Sequence, residues 1–162
     1  HLLPRPRPDV TTGVTEKVRI GCGNLYITVN YDEKGICEVF TSTGKSGGCP
    51  SQSEATARLV SVGIRSGIDP QEIIQQLKGI RCPSTIRQPG LGVTSCPDAI
   101  ARVLEKVLKA QAHGDALSTI AKISAIPTGR GQHDKYCPEC GSKLEHEGGC
   151  VVCRNCGYSK CS

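Results

Sequence analysis

The chain has no tryptophan, no methionine and one phenylalanine, and its aromatic share is 3%. Large rings bury the most surface per residue, so a core without them must be modest and built from Ile, Val, Leu and Ala. Apolar runs of the roughly 18–20 residues that span a bilayer are missing too, as is any leader-like segment, so we expect a soluble, cytoplasmic protein with no membrane contact. Ser, His and Asp show no spacing that suggests a catalytic triad, and His113, His133 and His146 stand alone as solvated side chains. Residues Thr43-Gly44-Lys45-Ser46 look like the end of a phosphate-binding loop, but Val39 stands where its first glycine belongs, which excludes nucleotide hydrolysis. A weaker possibility stays open, an anion held by Lys45, Ser46 and the loop amides at the following helix start. A start at His1 with no methionine is expected of a fragment or the tail of something longer.

A formal net charge of +5 raises the question of nucleic acid. Its placement argues against that partner. Near the C-terminus Lys143, Arg154 and Lys160 are balanced by Glu139, Glu145 and Glu147, and a zinc centre with four thiolates would add net negative charge. Much of the excess comes from Arg5, Arg7 and scattered helix positions, where solvated faces are the ordinary explanation.

Read along its length, the chain divides into four parts. Residues 1–15 form a Pro/Arg tether, which should be extended because each proline removes a donor and restrains its predecessor. Residues 16–113 carry an α+β pattern, a small antiparallel β-meander packed with about three helices. Its strands are marked by Val18 and Ile20, by Leu25, Ile27 and Val29, and by residues 36–41 after a turn at 32–35. The first helix is expected to open with a capping box, Ser51 with Glu54, and to bury Ala55, Leu59 and Val62. The second opens at Asp69-Pro70 and turns Ile73, Ile74 and Leu77 inward. The third opens at Ser95-Cys96-Pro97-Asp98 and repeats Ile100, Val103, Leu104, Val107 and Leu108 at helical spacing until Gly114. Residues 114–135 lack a sustained period and read as a flexible linker with a span of about 25 Å and an extended reach of roughly 70 Å.

Residues 136–162 hold six of the eleven cysteines. Two Cys-x-x-Cys knuckles across a short spacer suit a structural Zn2+ site, because each knuckle aims both sulfurs at one ion. Cys137, Cys140, Cys153 and Cys156 are the preferred ligands, since glycine follows both pairs at Gly141 and Gly157. A register using Cys150 with Cys153 and leaving Cys156 over also stays open. So short a segment has few apolar side chains, and a metal would supply most of its folding free energy. If residues 149–152 and 157–161 are the arms of a hairpin, the surplus Cys150 and Cys161 fall near each other and could form a disulfide that opens and closes.

Five cysteines remain. Cys37 lies inside a strand, as a packing residue would. Cys22, Cys49, Cys82 and Cys96 sit at turns or helix starts, where backbone amides favour thiolates. A second metal or redox site built from these four stays open beside the plainer reading, small buried thiols at tight turns, because no two share a knuckle spacing.

The segments GCGNLYITVN, GKSGGCPSQSEATARLVSVGIRSGI, QLKGIRCP and TSCPDAIA, with the ending CPECG…GGCVVCRNCGYSKC, follow one another in order. Together they resemble the C-terminal region of adenosylcobalamin-dependent, class II, ribonucleotide reductases, with residues 94–98 as the signature of a TSCPD domain and the tail as a zinc ribbon. The resemblance implies the C-terminal portion of a vitamin B12-dependent ribonucleoside-diphosphate reductase. Its tail dithiol, Cys150 and Cys161, would relay reducing equivalents from a thioredoxin or glutaredoxin-like donor to the disulfide that turnover leaves in the catalytic domain. Adenosylcobalamin would belong to the parent enzyme and not to this region. The radical-generating barrel is not present, so the chain would not be active alone. The alternative is a stand-alone TSCPD and zinc-ribbon module that binds or regulates a partner without a redox role.

Overall fold

Val18 and Ile20, and then Leu25, Ile27 and Val29, alternate with polar residues, and a chain of that period buries one face when extended. In the computed structural model, which describes residues 1–43, 49–114, 143–155 and 157–161, they lie on β1 (Thr12–Ile20) and β2 (Gly23–Asp32), with β3 (Gly35–Thr43) next. The strands form an antiparallel sheet in the order β1-β2-β3, with Val18 opposite Leu25 and Val29 opposite both Val14 and Val39. Asp32 shapes the β2–β3 turn by accepting from the Lys34 amide at 2.9 Å. A register shift after Asn30 sets Tyr31 against Ile36.

Four helices follow: α1 (Pro50–Arg65), α2 (Pro70–Leu77), the single-turn α3 (Pro83–Ile86) and α4 (Cys96–Ala112). Ile100, Val103, Leu104 and Val107 of α4 join the strand residues in one apolar core, with Ile74 of α2 and Val60 and Ile64 of α1. At β3 the Ser61 hydroxyl of α1 accepts from the Val39 amide at 2.9 Å and lies 3.1 Å from the Val39 carbonyl. An edge strand leaves such groups unpaired, so α1 completes the sheet with a side chain where another strand would otherwise add.

Three expectations need correction. First, α1 is capped by Cys49 with no side-chain hydrogen bond, not by Ser51, which lies inside the helix. Its buried face is Ser53, Ala57, Val60, Ser61 and Ile64, whereas Leu59 and Val62 are 74% and 43% exposed. Both stripes have helical spacing, and the need to satisfy the β3 edge with Ser61 selects the more polar one. Second, β1 begins at Thr12, inside the span assigned to the tether. Third, that span is held rather than loose. Arg5 pairs with Asp32 at 2.7 Å and its amide donates to the Arg65 carbonyl at 2.8 Å, while Arg7 grips Glu38 at 2.6 and 3.0 Å. The reason is Glu38, which is 1% exposed although it sits on a strand. Burial alone would raise its carboxyl, but hydrogen bonds from Arg7 and Asn30 outweigh this and hold it below the ordinary value.

A second antiparallel sheet, β4 (Glu145–Glu147), β5 (Cys150–Val152) and β6 (Ser159–Cys161), occupies the C-terminal part in that order. Its buried cluster is Leu144 and Cys153, with Val151 and Tyr158 packed against them. Arg154 bridges Glu145 and Glu147 across this hairpin. The linker from residue 115 onward lies outside the described residues. Among the described residues no helix is long and apolar enough to cross a membrane.

Candidate functional site

Three helices of the α+β domain begin in the same way, with cysteine followed by proline: Cys49-Pro50, Cys82-Pro83 and Cys96-Pro97. Proline is favoured in a first turn because the amide it lacks would have had no intrahelical partner. Cys49 and Cys82 are the N-caps of α1 and α3, and Cys96 is the first residue of α4 behind the N-cap Ser95. All three line one pocket of about 250 Å³ together with Ser53, Arg81 and Ile100.

The residues of the sequence Thr94-Ser95-Cys96-Pro97-Asp98 buckle this pocket together. The Thr94 hydroxyl donates to the Ile80 carbonyl at 2.8 Å, and the Cys82 amide donates to the Thr94 carbonyl at 2.8 Å. Ser95 caps α4 by accepting from the Asp98 amide at 3.1 Å. Asp98, fully buried, accepts from the amides of Gly79 and Thr94 at 2.8 and 3.0 Å and from Arg102 at 2.9 Å. Burial pushes its carboxyl up, yet those three donors prevail and keep it below the ordinary carboxylate value. The motif therefore ties the segment carrying Cys82 to the start of α4.

Cys22 arrives by a different route, in the turn between β1 and β2. There Gly21 donates to the Thr85 hydroxyl at 3.2 Å and accepts from Gln88 at 2.8 Å. A Cβ at Gly21 would come within 2.0 Å of the Ser84 carbonyl oxygen, so only glycine permits this contact with α3.

The thiols differ in character. Burial raises Cys82, but the amides and hydroxyls of Ser84 and Thr85 outweigh it and bring the thiol below its ordinary value. Cys96 is raised, first by burial and further by charge at Cys22, Cys82 and Cys49. Ser53 opposes that rise from beside Cys96, although its buried hydroxyl meets no hydrogen-bond geometry with any described partner. Nothing in the sequence pattern singles out Ser53; its one signal is a position four residues after Cys49, one helical turn on. Cys37 is fully buried, and its S–H donates to the Asn30 carbonyl at 3.5 Å. Among the described residues no three Cys, His, Asp or Glu side chains are gathered closely enough to hold an ion.

In the C-terminal sheet, Cys150 on β5 lies directly opposite Cys161 on β6, and Cys150 is disulfide-bonded. Cys153 is fully buried and opens the turn between these strands. Its amide donates to the Tyr158 carbonyl at 2.7 Å, and its carbonyl accepts from the Gly157 amide at 2.9 Å. Gly157 has φ +80°, which is left-handed backbone that a side chain would strain. The nominated metal ligands Cys137, Cys140 and Cys156, and the nominated anion-binding residues Lys45 and Ser46, lie outside the described residues.

No curated protein and no solved structure matches the chain. The family model of the TSCPD domain does match, over residues 3–108, which take in the sheet, the four helix starts and most of α4. The chain belongs to the TSCPD-domain family, whose domain is typical of the C-terminal regions of class II ribonucleotide reductases.

Proposed function

We propose that this chain is the C-terminal region of a B12-dependent ribonucleoside-diphosphate reductase, and that Cys150 and Cys161 are its thiol relay. The observation that carries this reading is the register of β5 and β6, which sets a disulfide-bonded Cys150 opposite Cys161. A dithiol in that place regenerates a partner's disulfide in two exchanges. One tail thiolate attacks a sulfur of the active-site disulfide in the catalytic domain, forming a mixed disulfide and expelling the other sulfur as thiolate. The second tail thiolate then attacks the mixed disulfide, which closes the Cys150–Cys161 bond and leaves the active site as a dithiol. Two electrons pass, and a thioredoxin-like dithiol returns them to the tail.

Cys153 fits a structural zinc site in its burial and in the closed turn around it, and Cys137, Cys140 and Cys156 would complete the ligand set. Bound zinc would supply the folding free energy that so small a cluster lacks. Adenosylcobalamin and substrate belong to the catalytic domain in this reading.

Thiol counting on the purified chain tests the relay. Reduction by thioredoxin should expose two additional thiols in the wild type and none in Cys150→Ser, with the bound metal unchanged. Indifference of the wild type to thioredoxin would instead point to a binding module without a redox role.

A further inference from the structure

The pocket at the three Cys-Pro helix starts is not used by the relay. We propose that it is a reaction site for a small alkyl hydroperoxide, in which Cys82 takes up one oxygen and becomes a sulfenic acid while Ser53 and Arg81 stabilise the departing oxygen. The inference stands apart from the relay, since none of these residues lies in the tail.

The placement of Cys82 is the first argument. Its amide donates to the Thr94 carbonyl at 2.8 Å, and the Thr94 hydroxyl donates to the Ile80 carbonyl at 2.8 Å. Asp98, fully buried, adds the Gly79 amide at 2.8 Å. A buried carboxylate and a buckle of backbone bonds thus fix the segment that ends in Cys82, which is the preorganisation a reacting group needs and a packing thiol does not. Cys82 is half-buried, so a small reagent can still reach it. On its other side the amides and hydroxyls of Ser84 and Thr85 favour the thiolate, the nucleophilic form, whereas burial keeps the neighbouring Cys96 as the thiol.

Ser53 is the second argument. It lines the same pocket, is 3% exposed, and its Oγ has no hydrogen-bond partner among the described residues. Buried hydroxyls are ordinarily paired, so one left open on a cavity wall points to a polar atom that the cavity receives.

The lining decides the chemistry of the ligand. At about 250 Å³ the pocket falls below the usual range for drug-sized molecules. Ile80, Pro97 and Ile100 give it an apolar wall that suits an alkyl group, and Arg81 is the charged residue of the lining. An apolar wall with one hydroxyl and one cation beside a thiolate fits an uncharged molecule that develops negative charge on oxygen as it reacts. A hydroperoxide, R–O–O–H, is such a molecule. The thiolate lone pair forms an S–O bond to the terminal oxygen, and the O–O bond breaks. Its electron pair leaves on the alkoxide, which takes a proton from solvent and departs as an alcohol. Cys82 is oxidised by two electrons to the sulfenic acid, and the peroxide is reduced.

Peptide-resolved trapping on the full chain tests this. The reduced protein, freed of reductant, is treated with tert-butyl hydroperoxide in the presence of dimedone, which captures sulfenic acids, and adducts are quantified at each cysteine by mass spectrometry. Cys82 should be labelled ahead of Cys49, although Cys49 is the more exposed thiol. With hydrogen peroxide, which has no alkyl group for the apolar wall, the ratio of Cys82 to Cys49 labelling should fall about tenfold. Ser53→Ala should slow Cys82 labelling about tenfold without lowering the melting temperature, because it removes a hydroxyl that is unmet in the free pocket. Arg81→Gln, at an exposed position, should slow it as well, and Arg81→Lys should restore it. Labelling of Cys49 ahead of Cys82, an equal ratio for the two peroxides, or a Cys82 rate unmoved by both Ser53→Ala and Arg81→Gln overturns the site. Failure of the relay instead would leave Cys82 labelling intact and show itself only at Cys150.

Discussion

The α+β domain and the C-terminal sheet are each built on three antiparallel strands, but they are stabilised in opposite ways. In the first, eighteen described residues share one buried apolar cluster. In the second the corresponding cluster is Leu144 and Cys153. At about 25 cal/mol per Å² of apolar surface, the larger cluster can offset the entropy of ordering its chain and the smaller cannot. The difference teaches that the two regions should respond to different insults, one to loss of packing and the other to loss of cross-links.

The largest expected effect is on the tail. With zinc bound as proposed, its removal by a chelator under reducing conditions should abolish amide-exchange protection across β4, β5 and β6 while α4 stays protected. Equal loss in both regions would erase the distinction. Next in size is Leu104→Ala, which opens a cavity at a fully buried position and should cost the α+β domain about 2–5 kcal/mol in a denaturant melt without altering thiol exchange in the tail. Asp98→Asn should cost roughly 2–3 kcal/mol, because one of its three donors is left facing an amide N–H₂. A melt unchanged by Asp98→Asn would show that the buckle at residues 94–98 is not under load.

The smallest effect is that of pH. Asp98 and Glu38 are held below their ordinary values of 3.8 and 4.5 in the folded chain. Groups depressed in this way contribute stability that is fully present above those values and is lost as pH falls through the lower folded ones. The melting temperature of the α+β domain should therefore be flat from neutrality to about pH 5 and decline below pH 4. Glu38→Gln should flatten part of that decline by removing one of the depressed carboxyls, which also include Asp32 and Glu105.

Much of the fold could be read from local pattern. The meander follows from the period of Val18, Ile20, Leu25, Ile27 and Val29, and the caps Asp69 and Ser95 stand where short-range capping logic puts them. The face of α1 could not, because Ala55, Leu59 and Val62 form as regular a stripe as Ala57, Val60 and Ile64, and the arbiter is the edge of β3. Nor could the docking of Arg5 and Arg7, since a Pro/Arg segment looks solvated until the buried Glu38 across from it is known. Cys22, Cys49, Cys82 and Cys96 were visible as residues of turns or helix starts. That Cys49, Cys82 and Cys96 line one pocket was not, because without a shared knuckle spacing nothing local connects them.

By itself the sequence determined the elements, since hydrophobic period and helix caps act within a few residues of the chain. It determined the inventory of sulfurs as well. Only the tertiary structure decided which of those sulfurs became neighbours, since Gly21 against Ser84 and Cys82 against Thr94 are long-range backbone contacts that no local propensity encodes. Side-chain chemistry is a property of residues, whereas a site is a property of their separation, and separation is set by how the whole chain packs.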